Sequence, residues 1–183
     1  NTNERTLIAA LIPPFSFAGN SLSVHFPFHH SKDQYNTLRY TGPETLAIIA
    51  LLNSFVVDYV LRSRMTTNLN LFYLYQLPVP KLTLGDAASA PIVQRAAQLT
   101  CTTEDFDALA KEVSATLKLP LSAVKGVKDA AARARLRAEL DGLIAHLYKL
   151  TEAEFANIMS AFPIVADAEK NAARNAFRDV QKG

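Results

Sequence analysis

Residues 41–64, TGPETLAIIALLNSFVVDYVLRSR, constrain this chain more than any other stretch. Leu46, Ile48, Ile49, Leu51, Leu52, Phe55, Val56, Val57, Val60 and Leu61 go nearly all round a helix running from 43 to 64, so that helix must be buried, in protein or in lipid. Thr41 or Gly42 stands near its cap, Pro43 in the first turn and Glu44 at the positive end of the dipole. A lipid-spanning helix needs about 20 apolar residues in a row. The run from Leu46 to Leu61 is sixteen long and is interrupted by Asn53, Ser54 and Asp58, so burial in protein, with no membrane partner, is the expectation. The chain is long enough for it: at 183 residues, folding buries roughly 70% of the unfolded surface.

Composition closes off several classes. With 49% hydrophobic and 20% charged residues the chain reads as globular rather than disordered or fibrous. Cys101 is the only cysteine. There is thus no disulfide framework and no Cys-based zinc site, which fits a reducing, cytoplasmic compartment, and Cys101 reads as buried apolar filler. The net charge of +2 does not by itself point to a polyanion. Residues 1–82 hold six basic and four acidic side chains, and the remainder thirteen of each. The sequence opens on Asn with no signal pattern and reads as a fragment from the interior of a larger protein.

The organisation reads as two unequal regions. TLIAALIPP, 6–14, has the look of a buried strand. In SLSVHFPF, 21–28, Leu22, Val24, Phe26 and Phe28 alternate with Ser23, His25 and Pro27, a half-buried strand that Pro27 pushes toward an edge or a bulge. In TTNLNLFYLYQLPVP, 66–80, Leu69, Leu71, Phe72, Leu74, Tyr75 and Leu77 offer apolar surface to the preceding helix, while Pro78 and Pro80 force an extended exit. Beyond Leu82 the chain turns Ala-rich and helical, broken around Cys101. Next comes a long helix with Leu136, Leu140, Leu143, Ile144 and Leu147 on one stripe, and Arg133, Arg137 and Asp141 spaced to pair on the other. Thr151 and Glu154 have capping-box spacing and Pro163 ends that helix. The last helix, from about 167 to 181, is too polar to be central. The expected class is α+β: a small β-containing subdomain with a buried helix, 1–82, followed by an α-helical carboxy-terminal subdomain, 83–183.

Little in the sequence can do chemistry. His25 and His29 share a strand face, but two imidazoles lack a third ligand and read as surface or strand-edge histidines, so no metal is expected. His146 reads as a satisfied, partly buried histidine, which leaves a Ser/His146 hydrolase without support. No Gly-x-Ser-x-Gly elbow and no phosphate-cradling glycine loop is present. Acid pairs such as Glu152 with Glu154, or Asp105 with Asp107, fall in first helical turns, where they stabilise the dipole.

LLNSFVVDYVLRSRMTTNLNLFYLYQLPVPKL, 51–82, resembles the segment that closes the target-recognition region of large single-chain restriction-modification methyltransferases of the type IIG kind. TNERTLIAALIPP, 2–14, is similar to a strand of that region, and RAELDGLIAHLYKLTEAEFANIMSAFPIV, 137–165, resembles the tail of those proteins. The resemblance implies that 1–82 is the carboxy-terminal part of a target-recognition (specificity) domain and 83–183 a helical tail or scaffold. In that bacterial family the adenine-specific methyltransferase domain lies upstream, binds S-adenosylmethionine and holds the flipped base with an Asn-Pro-Pro-Tyr type motif. This chain has IPPF at 12–15, without the Asn, and no Phe-x-Gly-x-Gly-like loop, so no catalytic residue and no cofactor are expected within it.

An enzyme that extrudes a base needs another surface to hold the duplex and read its neighbours. The expected partners are double-stranded DNA and the catalytic domain of the same parent chain. Candidate DNA-contacting residues are Asn3 and Arg5 before the first strand, His29, His30, Lys32, Gln34, Asn36 and Arg39 in the loop HHSKDQYNTLRY, and Arg62 and Arg64 at the helix end. The alternative is a helical module that docks onto the parent's catalytic domain without touching DNA.

Overall fold

The computed structural model describes residues 4–13, 16–19, 23–25, 28–31, 34–38, 40–65, 69–80, 82–84 and 86–182. The expected helix from 43 to 64 is two helices, α1 (Gly42–Leu52) and α2 (Phe55–Arg64), bent by 59°. The polar interruptions cause the break. Asn53 ends α1 by donating its side-chain amide to Ile49 O at 2.9 Å. Ser54 Oγ accepts the Val57 N–H at 3.3 Å to cap α2 and donates to Leu51 O at 2.7 Å. The start of α1 lies where the sequence put it, with Thr41 at the cap, Pro43 in the first turn and Glu44 near the positive end; Thr41 and Glu44 in addition form a capping box.

The same polar residues decide what happens to the amino-terminal segment. Thr6 donates its N–H to both Asp58 oxygens, at 3.1 and 3.0 Å, and Ala9 exchanges two hydrogen bonds with the Asn53 amide, at 3.0 and 2.8 Å. A buried strand was expected here; instead side chains of the α1–α2 break occupy the place of a neighbouring strand, and 7–13 is assigned to no strand. Of the expected strand at 21–28, residues 21, 22, 26 and 27 lie outside the described residues, 23–25 are not in a strand, and Phe28 is the first residue of a strand that runs on beyond it. Regular β structure among the described residues is confined to one antiparallel ribbon, β1 (Phe28–Ser31) with β2 (Gln34–Leu38), which from His29 on lies in the stretch expected to be a loop. The packed body is all-helical, so the expected α+β class with a β-containing subdomain is overturned. The physical reason is that Asn53 and Asp58 satisfy the extended backbone that a sheet was expected to satisfy.

The remaining helices are α3 (Leu71–Tyr75), α4 (Ser89–Thr100), α5 (Asp107–Leu117), α6 (Ala130–Leu147), α7 (Glu152–Ser160) and α8 (Asp167–Lys182). The main core takes Leu46, Leu51 and Phe55 from α1 and α2, and Ile92, Val93, Val113, Ile144, Phe155 and Phe177 from the helices beyond residue 82. A smaller cluster joins Leu7, Val57, Leu61 and Leu77. Of the apolar run at 69–77, Leu77 is buried and Leu69, Tyr73 and Leu74 pack beside it, whereas Phe72 and Tyr75 stay 65% and 73% exposed. Among the described residues no helix is long and apolar enough to cross a membrane, and the bent α1–α2 pair buries Leu46, Leu51, Phe55 and Leu61 in protein.

The last helix is more central than its polarity suggested. α8 packs along α6 and buries Ala173 and Phe177 completely. Gly142 permits the approach: a Cβ there would lie 2.7 Å from Phe177 N and 2.8 Å from Ala176 C, both backbone atoms that cannot rotate away. Gly142→Ala is expected to force α6 and α8 apart and to destabilise the protein by about 1–3 kcal/mol, as overpacking generally does. Chemical denaturation checks this; an unchanged midpoint would show that the crossing is not close packed.

Candidate functional site

The most constrained polar cluster lies where the amino-terminal segment, the α1–α2 break and α6 meet. Asp141, 4% exposed on α6, accepts the Phe55 N–H at 2.9 Å and so binds the first free amide of α2. Arg5 Nη2 stands 4.0 Å from Asp141 Oδ2 and donates to Asn53 O at 2.9 Å. Its guanidinium lies 3.7 Å above the Phe55 ring centre. A second cation completes the cluster. Arg62 donates to Thr6 Oγ1 and Glu4 O at 3.0 Å each and to Ala161 O at 3.3 Å, with its guanidinium 4.4 Å over the Phe162 ring. These contacts tie α2 to both the amino-terminal segment and the end of α7.

A cleft of about 590 Å³ opens beside this cluster, lined in part by Arg5, Leu7, Asn53, Arg133, Arg137 and Asp141. Of its charged groups, Arg5, Arg133 and Asp141 hold parts of the chain together. Arg133 donates from Nη1 to Leu99 O and Val127 O at 2.9 Å each rather than pairing along its own helix. Burial, aided by Glu169, raises the Asp141 carboxyl to about 7 against the opposing pull of Arg5, the Phe55 N–H and Arg137. Elsewhere, burial together with Asp107 pushes the Cys101 thiol up to about 11, which leaves it un-ionised at neutral pH. His146 stacks on Phe177 at 4.0 Å and its Nε2 bonds Phe177 O at 2.8 Å, the satisfied histidine that was expected. Among the described residues no group of three His, Cys, Asp or Glu is placed to hold a metal. Gly42, Gly126 and Gly142 are each crowded by protein atoms where a Cβ would stand, so close packing within the chain accounts for glycine at these positions.

The candidate DNA-contacting residues fall into three groups. Asn3, Lys32 and Arg39 lie outside the described residues. His29 and His30 sit on β1 and Gln34 and Asn36 on β2, with His29 opposite Thr37, His30 opposite Tyr35 and Ser31 opposite Gln34. Arg5 and Arg62 are drawn into the cluster above, and Arg64 donates to Gln76 O at 2.9 Å. The ribbon is thus brought together as one element, and the arginines of α2 are not part of it. The sequence reading missed Asn53, Asp58 and Asp141 as structural keys. The first two were visible as polar breaks in an apolar run; Asp141 was masked by its spacing from Arg137.

Compared with protein-family models, curated proteins and solved structures, the chain matches none.

The raised Asp141 carboxyl carries a definite pH dependence. An aspartate that titrates near 4 when unfolded and about 7 when folded favours folding most below the lower value, and that contribution is lost as pH rises through the upper one. Asp141→Asn retains an acceptor for Phe55 and is expected to abolish this loss. Denaturation midpoints of the two proteins should converge toward pH 4 and separate toward pH 8 in favour of the variant; parallel curves would exclude a titrating Asp141.

Proposed function

We propose that the chain is a non-catalytic DNA-recognition and scaffold part of a DNA methyltransferase or restriction-modification protein, acting in the cytoplasm beside a catalytic domain of the same parent chain. The observation that supports this reading is the convergence of the three sequence blocks that resemble that family. Arg5 belongs to the first, Asn53, Phe55, Asp58 and Arg62 to the second, and Asp141, Ala161 and Phe162 to the third, and they meet in one polar cluster. What these blocks share is a structural lock and not a reaction centre. The lock ties the amino-terminal segment, α2 and α6 together, and the ribbon carrying His29, His30, Gln34 and Asn36 supplies the reading groups. Ribbons of this kind fit the major groove, and Gln and Asn are the side chains that pair bidentately with adenine.

A second reading, docking onto the catalytic domain without DNA contact, draws support from the exposed Phe72 and Tyr75, one helical turn apart on α3. Fluorescence anisotropy of the chain with labelled duplex across a salt series separates the two. DNA recognition predicts binding that weakens with salt, with a slope reduced by about 1 in Lys32→Ala and in Arg39→Ala and a changed sequence preference in Asn36→Ala. Arg62→Ala should lower thermal stability instead and leave the slope alone. Absence of duplex binding at low salt would discard the DNA reading in favour of docking.

A further inference from the structure

From Leu7 to Pro13 exposure alternates residue by residue, with Leu7, Ala9, Leu11 and Pro13 turned toward the body and Ile8, Ala10 and Ile12 exposed. Alternation of this kind is the signature of extended chain. The hydrogen bonds agree, since the N–H and C=O of Ala9 both reach the one amide of Asn53 and therefore leave the same side of the backbone. In extended chain the main-chain groups of the neighbouring even positions leave the other side. Among the described residues Ile8, Ala10 and Ile12 have no hydrogen-bond partner, and Ile8 and Ile12 are 79% and 46% exposed. The segment thus presents one unpaired edge and one apolar outer face.

We infer that this edge pairs with the same edge of a second copy of the chain, antiparallel, with the two-fold axis through Ala10. The donors and acceptors are self-complementary about that point. Ala10 faces Ala10 of the other copy, Ile8 faces Ile12, and all three positions are of the kind that exchange both N–H···O bonds in an antiparallel pair. The side chains repeat the symmetry, because Ile-x-Ala-x-Ile reads the same in both directions and sets isoleucine against isoleucine on the outer face. Length is limited at both ends. The chain bends at Thr6, whose N–H is held by Asp58, and Pro14 has no N–H to offer. Growth beyond two copies is blocked, since Asn53 already occupies the opposite edge at Ala9; the contact is isologous and closes.

Sedimentation velocity of the 183-residue chain over a roughly hundredfold concentration range tests the contact. The expected result is a reversible monomer–dimer equilibrium. Ala10→Pro, which removes the N–H at the axis without touching a bond made within the monomer, should sediment as monomer. Ile8→Lys with Ile12→Lys sets like charges opposite each other and should also be monomeric, whereas Ile8→Lys with Ile12→Glu restores opposite charges across the axis and should recover a salt-sensitive dimer. Circular dichroism confirms that each variant keeps its helices. A wild-type chain monomeric throughout, open-ended aggregation, a dimer indifferent to Ala10→Pro, or failure of the Lys/Glu pair to outperform the Lys/Lys pair would overturn the inference.

Discussion

The buried carboxylate of Asp141, accepting the first amide of α2, is the contact on which the arrangement of the other elements depends. A helix begins with amides that have no intrahelical partner and carries positive potential there, so an anion at that end satisfies both demands. Because the carboxylate comes from α6, 86 residues away in sequence, it fixes where α2 starts relative to the helices that follow. Burying a charge is unfavourable unless it is paired. Arg5 supplies part of that pairing from 4.0 Å, but burial dominates and lifts the Asp141 carboxyl to about 7. The hydrogen bond to Phe55 and the burial of the carboxyl between α2 and α6 fix its place.

From this contact the remaining polar groups follow in order. Once α2 must start at Phe55, α1 must end at Leu52, and Asn53 and Ser54 do the ending and the starting. Asn53 then has amide groups to spare, and with Asp58 it takes up the backbone of the amino-terminal segment. Arg5 and Arg62 lie over Phe55 and Phe162, so the cations add face-on contacts with aromatic rings to their hydrogen bonds. Removing Asp141 would strand the buried Phe55 amide, and removing Asn53 would leave the part-buried Ala9 backbone without its partner.

Local signals in the sequence were legible and long-range ones were not. Thr151 with Glu154 forms the capping box its spacing announces, Thr41 caps α1 with Pro43 in the first turn, and the break near Cys101 stands where the pattern changes. Each of these is decided within a few residues. The α+β expectation failed because TLIAALIPP is apolar and extended, and nothing in it says whether its backbone will meet a strand or the side chains of Asn53 and Asp58, more than 40 residues later. Asp141 was read as the partner of Arg137, four places earlier, but accepts its hydrogen bond from the Phe55 N–H, and Arg137 acts only as the weakest of the charges on it; the polar α8 was read as peripheral, yet Gly142 lets its few apolar residues reach the core. For the candidate DNA-contacting residues, type and spacing located the ribbon segment, while the fate of Arg5 and Arg62 depended on aromatic rings brought to them by the fold.

Amide hydrogen exchange read residue by residue is the most direct test of this account. The Phe55, Ala9 and Thr6 amides, bonded to Asp141, Asn53 and Asp58, should exchange slowly and close to the rate of global unfolding, and substitution of Asp141 by Ala should speed all three together. Fast exchange at Ala9 and Thr6 in the wild-type chain, or acceleration at Phe55 alone in the variant, would contradict the claim that one buried carboxylate organises the junction.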